Sequence, residues 1–172
     1  MKKIALIYSF NSKKTAIIAG KILERFGPDL IDTINAEEMN ELTFLSYDKL
    51  ILGVPTWFDG ELPNYWDEFV PALEEMDLTG KKIAIFGLGD QLGYPENYLD
   101  AVGIMADLLQ SRGANILGYT SAEGYIFEHS RALRDDRFCG LAIDFENQNK
   151  LTDERINQWV EQLWKEFEIG KV

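Results

Sequence analysis

A single cysteine, Cys139, excludes an internal disulfide, and a single histidine, His129, leaves no Cys/His set with metal-ligand spacing. Cys139 lies in the apolar run 138–143, which reads as a buried, inert thiol and not as a nucleophile. No apolar run approaches the roughly 18–20 residues that span a bilayer, and Met1-Lys2-Lys3 leads directly into a strand pattern without a signal-peptide core. The expected compartment is the cytoplasm. Basic side chains are also scarce: 17 Lys and Arg stand against 29 Asp and Glu, for a net charge of -12. Nucleic acid and anionic membranes are disfavoured as partners, and two readings stay open, a basic protein partner or an acidity that only maintains solubility. Catalytic constellations are missing as well. His129 has no Ser or Cys to activate, and Glu37-Glu38 and Asp135-Asp136 read as solvated acidic faces, so no catalytic residue and no metal site is assigned.

What remains is an ordinary single domain over residues 1–172, expected to be monomeric, with 46% hydrophobic content for its core. Short β-branched runs alternate with segments of helical period, the pattern of βαβ crossovers and a parallel sheet covered on both faces. Strands are expected at 3–8, 30–34, 49–54, 82–86 and 115–119. A helix carrying Thr15, Ile18, Ala19, Ile22, Leu23 and Phe26 on one face ends at Gly27-Pro28, and residues 37–44 form a short helix or turn. Further helices are expected from about Pro63, with Trp66, Phe69, Val70 and Leu73 inward, and over 98–112, with Gly113 as its αL cap. The last carries Ile156, Trp159, Val160, Leu163, Trp164 and Phe167 behind Thr152 as N-cap. Residues 120–139 are too long for a plain connection, and are either a folded insertion or a functional loop.

In such a sheet the ligand crevice lies beyond the carboxyl ends of the strands. Three loops meet there. The first, Ser9, Phe10, Asn11, Ser12, Lys13, Lys14 and Thr15, sets hydroxyls and amides at a helix mouth, either an anion site or the ordinary polar turn of a parallel sheet. The second brings Pro55, Thr56, Trp57, Phe58, Asp59 and Gly60. The third runs through Gly87, Leu88, Gly89, Asp90, Gly93 and Tyr94. Trp57 and Tyr94 are either half-buried aromatics of no special role or two rings that stack on a flat ligand. Gly87, Gly89 and Gly93 let the backbone approach closely, and Asp90 can accept a ligand N–H. Together these groups describe a planar, phosphorylated heterocycle, and FMN meets that description.

With Gly53-Val54-Pro55-Thr56-Trp57, Gly60-Glu61-Leu62 and residues 86–94, and with Asp100-Ala101-Val102-Gly103-Ile104, Gly118-Tyr119, Gly124-Tyr125, residues 130–134, residues 140–144 and Asn147-Gln148, the chain resembles the flavodoxins of the long-chain type over nearly its whole length. The resemblance implies a three-layer α/β open sandwich with a five-stranded parallel sheet in the order 2-1-3-4-5, the last strand split by residues 120–139. It also implies a non-catalytic, low-potential one-electron carrier with one FMN. Trp57 and Tyr94 would sandwich the ring, while Asp90 with the backbone of Leu88 and Gly89 meets its polar edge. Asn97 and Glu146 would lie near the ring or the ribityl chain. The implied partners are a basic NAD(P)H-dependent reductase and electron-acceptor proteins.

Two positions depart from the family pattern. Its phosphate loop, Thr/Ser-x-Thr-Gly-x-Thr, is here Phe10, Asn11, Ser12, Lys13, Lys14 and Thr15, so a hydroxyl is missing at Phe10 and a glycine at Lys13. Backbone amides are expected to hold the phosphate nonetheless, with Lys13 and Lys14 either assisting or solvated. Phe58 stands where glycine would most easily take φ > 0, at a cost of roughly 1 kcal/mol. Asp59 and Asp90 add negative charge beside a flavin that becomes anionic when fully reduced. A flavin-dependent quinone or nitro reductase and an FMN-free regulatory module are the competing readings.

Overall fold

In the computed structural model, which describes residues 1–170, the residues of the run 4–7 are all buried, as a strand covered on both faces requires. Residues 171–172, part of the single-domain expectation, lie outside the described residues. The elements in chain order are β1 (Ile4–Tyr8), α1 (Lys13–Phe26), β2 (Ile31–Asn35), α2 (Glu41–Leu45), β3 (Lys49–Gly53), α3 (Asn64–Asp67), α4 (Val70–Glu74) and β4 (Lys82–Leu88). They continue as α5 (Asp100–Ser111), β5 (Asn115–Leu117), β6 (Thr120–Ser121), β7 (Leu133–Arg134), β8 (Arg137–Phe138), β9 (Leu141–Ile143), α6 (Phe145–Gln148) and α7 (Thr152–Glu166).

The sheet runs β2-β1-β3-β4-β5, parallel throughout. The fifth position is filled twice. β5 pairs with the first half of β4, Lys82 opposite Asn115, and β9 pairs with the second half, Phe86 opposite Leu141. The excursion between them is folded: β6, β8 and β7 form a small antiparallel sheet, as expected for an insertion that splits the last strand.

The two-residue period of the strands divides their side chains between two cores. Ala5, Ile7, Leu50, Leu52, Ile83 and Ile85 face Trp66, Leu73, Met105 and Leu109 on one side. Ile4, Leu6, Ile51, Ala84 and Phe86 face Ile18, Ile22, Ile156, Trp159 and Leu163 on the other. Two buried indoles also fix strand ends: Trp66 Nε1 donates to the Gly53 carbonyl and Trp159 Nε1 to that of Gly118, each at 2.9 Å.

Four local expectations are corrected. The single helix from Pro63 is broken into α3 and α4, because Pro71 has no N–H for the Asp67 carbonyl; Trp66, Phe69 and Leu73 still reach one core. Val70, expected inward, is only half-buried. Thr152 is the first helical residue of α7, not its N-cap: a 3-10 turn over Asn149–Leu151 feeds the helix, and the Thr152 hydroxyl donates to Asn149 Oδ1 at 3.3 Å. Strand β4 also runs two residues farther than its β-branched core, through Gly87 to Leu88, which lines the crevice.

The insertion is anchored by rings. Tyr98 lies 5.6 Å from Phe127, 5.9 Å from Phe138 and 6.0 Å from Tyr125, and it is 1% exposed. Its hydroxyl has no hydrogen-bond partner, and burial pushes its ionisation far above the ordinary tyrosine value. A buried hydroxyl without a partner costs about 1–3 kcal/mol, so Tyr98→Phe is expected to raise the unfolding free energy by about 1 kcal/mol or more in urea denaturation. A loss of comparable size would contradict the packing described.

Candidate functional site

At the carboxyl edge of the sheet, two adjoining cavities of about 460 and 390 Å3 share Thr56, Trp57, Gly89, Asp90 and Tyr94. The first is completed by Phe58, Asn97, Tyr98 and Leu99. The second is completed by Ser12, Lys13, Lys14, Thr15, Pro55, Leu88, Phe145 and Glu146. Their sizes fall in the range of cofactor pockets.

The floor of the second cavity is the first turn of α1. Its first backbone bond is made by Ala16 N–H to the Ser12 carbonyl at 2.8 Å, and no side chain caps the helix. The N–H groups of Lys13, Lys14 and Thr15 therefore open toward the cavity those residues line, at the positive end of a 14-residue helix. The Ser12 hydroxyl donates to Thr15 Oγ1 at 3.0 Å, which holds both hydroxyls at the helix mouth. Lys14 Nζ pairs with Glu146 Oε1 across the same cavity.

Ser9, Phe10 and Asn11 line neither cavity. Ser9 is buried, and its hydroxyl donates to Glu37 Oε2 at 2.9 Å, the same oxygen that accepts from Asn11 Nδ2 at 2.6 Å. Glu37 thus fastens the first loop from behind. The Phe10 ring turns back onto Tyr8, with centroids 5.0 Å apart, and its N–H donates to Asn35 Oδ1 at 3.2 Å.

The second loop is closed by a two-way bridge: Trp57 N–H donates to the Glu61 carbonyl at 2.9 Å and Glu61 N–H to that of Trp57 at 2.7 Å. Phe58 at its tip takes φ 49°, so a bulky residue occupies the left-handed region with its ring 75% exposed. Gly60 follows at φ 90°, and any Cβ there would meet Asp100 Oδ2 at 2.7 Å. The Trp57 ring rests edge-on against Tyr65, centroids 5.8 Å apart. Asp59 and Gly60 fall outside the two cavities and line a separate one of about 390 Å3 with Glu61, Asp67 and Arg131.

The third loop is held by carboxylates. Asp90 Oδ1 accepts from Gly93 N–H and from Asn147 Nδ2, both at 2.7 Å. Those bonds, the Gly93 one foremost, hold the Asp90 carboxyl below its usual range. Asp144, fully buried, accepts from the backbone and side-chain nitrogens of Gln91 at 3.0 and 2.7 Å and from Asn147 N–H at 3.0 Å. The loop backbone is engaged too, with Gly89 N–H on the Ile143 carbonyl at 3.1 Å and the Leu88 carbonyl accepting from Thr56 at 3.4 Å. The glycines answer to the protein's own packing: a Cβ on Gly89 would lie 2.9 Å from the Tyr98 ring, and one on Gly87 would run into Leu99 and Val102.

Twelve of the residues expected at the site thus line the two cavities together with Phe58 and Asn97, while Ser9, Phe10, Asn11, Asp59 and Gly60 lie behind or outside them. Sequence reasoning missed Tyr98, Leu99 and Phe145 in the walls and the fastening role of Asp144, since an apolar residue after a motif and an acid at a strand end carry no signal of their own. Cys139 is buried, with its thiol pushed up to about 11 by burial, and His129 is exposed. Among the described residues no group of acids, His and Cys could hold a metal, and no helix is long and apolar enough to cross a membrane.

Fold and site together define a doubly wound α/β protein whose crevice takes a flat ligand with an anionic end. A family model described as Flavodoxin matches residues 6–159. The chain is 44% identical over 167 residues to the flavodoxin of a Nostoc species, spanning 96% of this chain and 98% of that one. It is 40% identical over 168 residues to flavodoxin 1 of Escherichia coli strain K12, spanning 97% and 96%. The solved structure of Fusobacterium nucleatum flavodoxin bound to flavin mononucleotide superposes with a TM-score of 0.90 at 32% identity, over 96% of this chain and 99% of that one. The chain belongs to the flavodoxin family.

The bonds to Asp90 generate a pH dependence. Its folded-state pKa is lowered, so its stabilising contribution is present above the unfolded carboxylate pKa and lost as pH falls through the folded value. Asp90→Asn is expected to lower stability at neutral pH and to flatten the acid limb of a urea-unfolding series. An acid limb as steep as that of the unaltered chain would contradict this.

Proposed function

We infer that the crevice holds one non-covalently bound FMN, and that the chain is an electron-transfer protein, not an enzyme, moving electrons one at a time between redox partner proteins. The observation that carries this is the placement of two aromatic rings, Trp57 and Tyr94, over the same pair of cavities that the uncapped first turn of α1 floors. Bound FMN would supply reversible one-electron redox chemistry at its ring system.

The chain's own residues account for the rest. The amides of Lys13, Lys14 and Thr15, with the hydroxyls of Ser12 and Thr15, hold the phosphate, and Ser9, Phe10 and Asn11 brace that turn from the Glu37 and Asn35 side. Trp57 and Tyr94 cover the two faces of the ring and exclude water; Pro55, Thr56, Leu88, Gly89, Asn97 and Glu146 form the walls. Asp90, its carboxyl held below the usual range by its N–H bonds, puts negative charge next to the ring, which holds the potential low, while Asp59 lies outside both cavities and adds to this only at longer range. The peptide joining Phe58 to Asp59, at the tip of the bridged loop, would present a polar group to the ring edge. Its strain of roughly 1 kcal/mol at Phe58 opposes that conformation relative to glycine.

Phe58, Leu92 and Tyr94 remain exposed around the mouth. With a net charge of -12 they suit contact with a basic NAD(P)H-dependent reductase and with acceptor proteins, in encounters that salt weakens. In this reading the chain acts in the cytoplasm as a single-domain monomer, free of nucleic acid and membrane.

Stepwise reductive titration followed by visible spectroscopy tests the function. Two separated one-electron stages are expected, the first only partly accumulating, and Phe58→Gly is expected to raise that accumulation. Reduction in one unresolved two-electron step, with turnover of a small quinone far above that of free FMN, would favour a reductase instead.

A further inference from the structure

Three polar pairs tie α1 to the α6–α7 segment at a constant offset of 132 residues: Lys14 with Glu146, Lys21 with Asp153, and Arg25 with Asn157. Steps of seven and four residues keep Lys14, Lys21 and Arg25 on one face of α1, and the step of four keeps Asp153 and Asn157 on one face of α7, while Glu146 stands on α6 before the 3-10 turn; the constant offset means that the two segments run in the same direction and in register. The lower two rungs sit on the flank of the α1–α7 contact. The top rung is different, because Lys14 and Glu146 both line the cavity floored by the free amides of α1.

Both side chains of this rung are about half exposed, at 57% and 51%. An exposed pair of this kind is weak and exchanges readily. A phosphomonoester at the helix mouth is a dianion with several acceptor oxygens, and so a stronger partner for an ammonium than one half-solvated carboxylate. Lys14 cannot serve both fully. The buried apolar contact of Ile18 and Ile22 with Ile156, Trp159 and Leu163 holds α1 on α7 whichever partner Lys14 takes, so the exchange needs no movement of the fold.

We propose that Lys14 and Glu146 form an exchangeable latch across the phosphate end of the cavity, with Lys14 the side chain that selects a phosphorylated flavin over riboflavin and Glu146 its competitor. The latch rests on the FMN reading above. It predicts that this acidic residue, although it lines the site, weakens cofactor binding by occupying Lys14.

The test is a double-mutant cycle on the full chain, with dissociation constants for FMN and for riboflavin measured by flavin fluorescence at low ionic strength. Glu146→Gln is expected to tighten FMN about two- to five-fold, the range of an exposed ion pair, and to leave riboflavin unchanged. Lys14→Met is expected to weaken FMN and not riboflavin. In the Lys14→Met background, Glu146→Gln should lose most of its effect. An undiminished effect in that background would mean that Glu146 acts by direct repulsion of the phosphate, and would overturn the latch, as would equal effects on both flavins. These outcomes are distinct from failure of the cofactor reading, in which the unaltered chain binds neither flavin and both proposals fall.

Discussion

The crevice depends on one buried carboxylate. Asp144 sits at the end of β9 with no exposure, and a carboxylate in that position is tolerable only if N–H groups replace its water. Gln91 and Asn147 supply them. Gln91 also accepts from Ile126 N–H, which brings the insertion into the same network, while Asn147 reaches on to Asp90. One acid thereby fixes the loop that carries Asp90 and Tyr94, the start of α6 that carries Glu146, and the near edge of the insertion. At its buried members, Gln91 and Asp144, the network holds the loop because polar groups without water have no alternative partners.

The other two loops are fixed by different means. The Trp57 loop is closed by its own backbone bridge and seated on Asp100 through Gly60, which leaves the strain of the turn concentrated at Phe58. The phosphate turn is braced from outside by Glu37 and Asn35, and only its last four residues face the cavity. Phe10, the missing hydroxyl of the family pattern, therefore matters less than its place in that pattern suggests. Its backbone N–H is engaged and its ring lies on Tyr8, so the donors at the helix mouth come from residues 12–15.

The fold was legible because burial on both faces of a parallel sheet leaves continuous apolar runs, and because the stripes of α1 and α7 have helical period. The strand order and the split fifth strand were legible only through the family resemblance. Local breaks were less so: Pro71 sits in a pattern whose apolar positions still point to one core, so periodicity alone joins α3 to α4. At the site, residue types with intrinsic chemistry such as Trp57, Tyr94 and Thr15 could be placed in advance. Partnerships could not. That Ser9 and Asn11 share Glu37, that Lys14 meets Glu146, and that Gly89 yields space to Tyr98 depend on distances across the fold that no spacing in the chain encodes.

The central claim is that the cavities between Trp57, Tyr94 and the first turn of α1 form one FMN site. Titration of FMN with the flavin-stripped chain tests it most directly, followed through FMN emission and through tryptophan emission in the same sample. The structure predicts that both fall together to a sharp end point at one FMN per chain, with Trp57→Ala abolishing much of the tryptophan change. FMN emission that stays unquenched through an excess of the folded chain would contradict it.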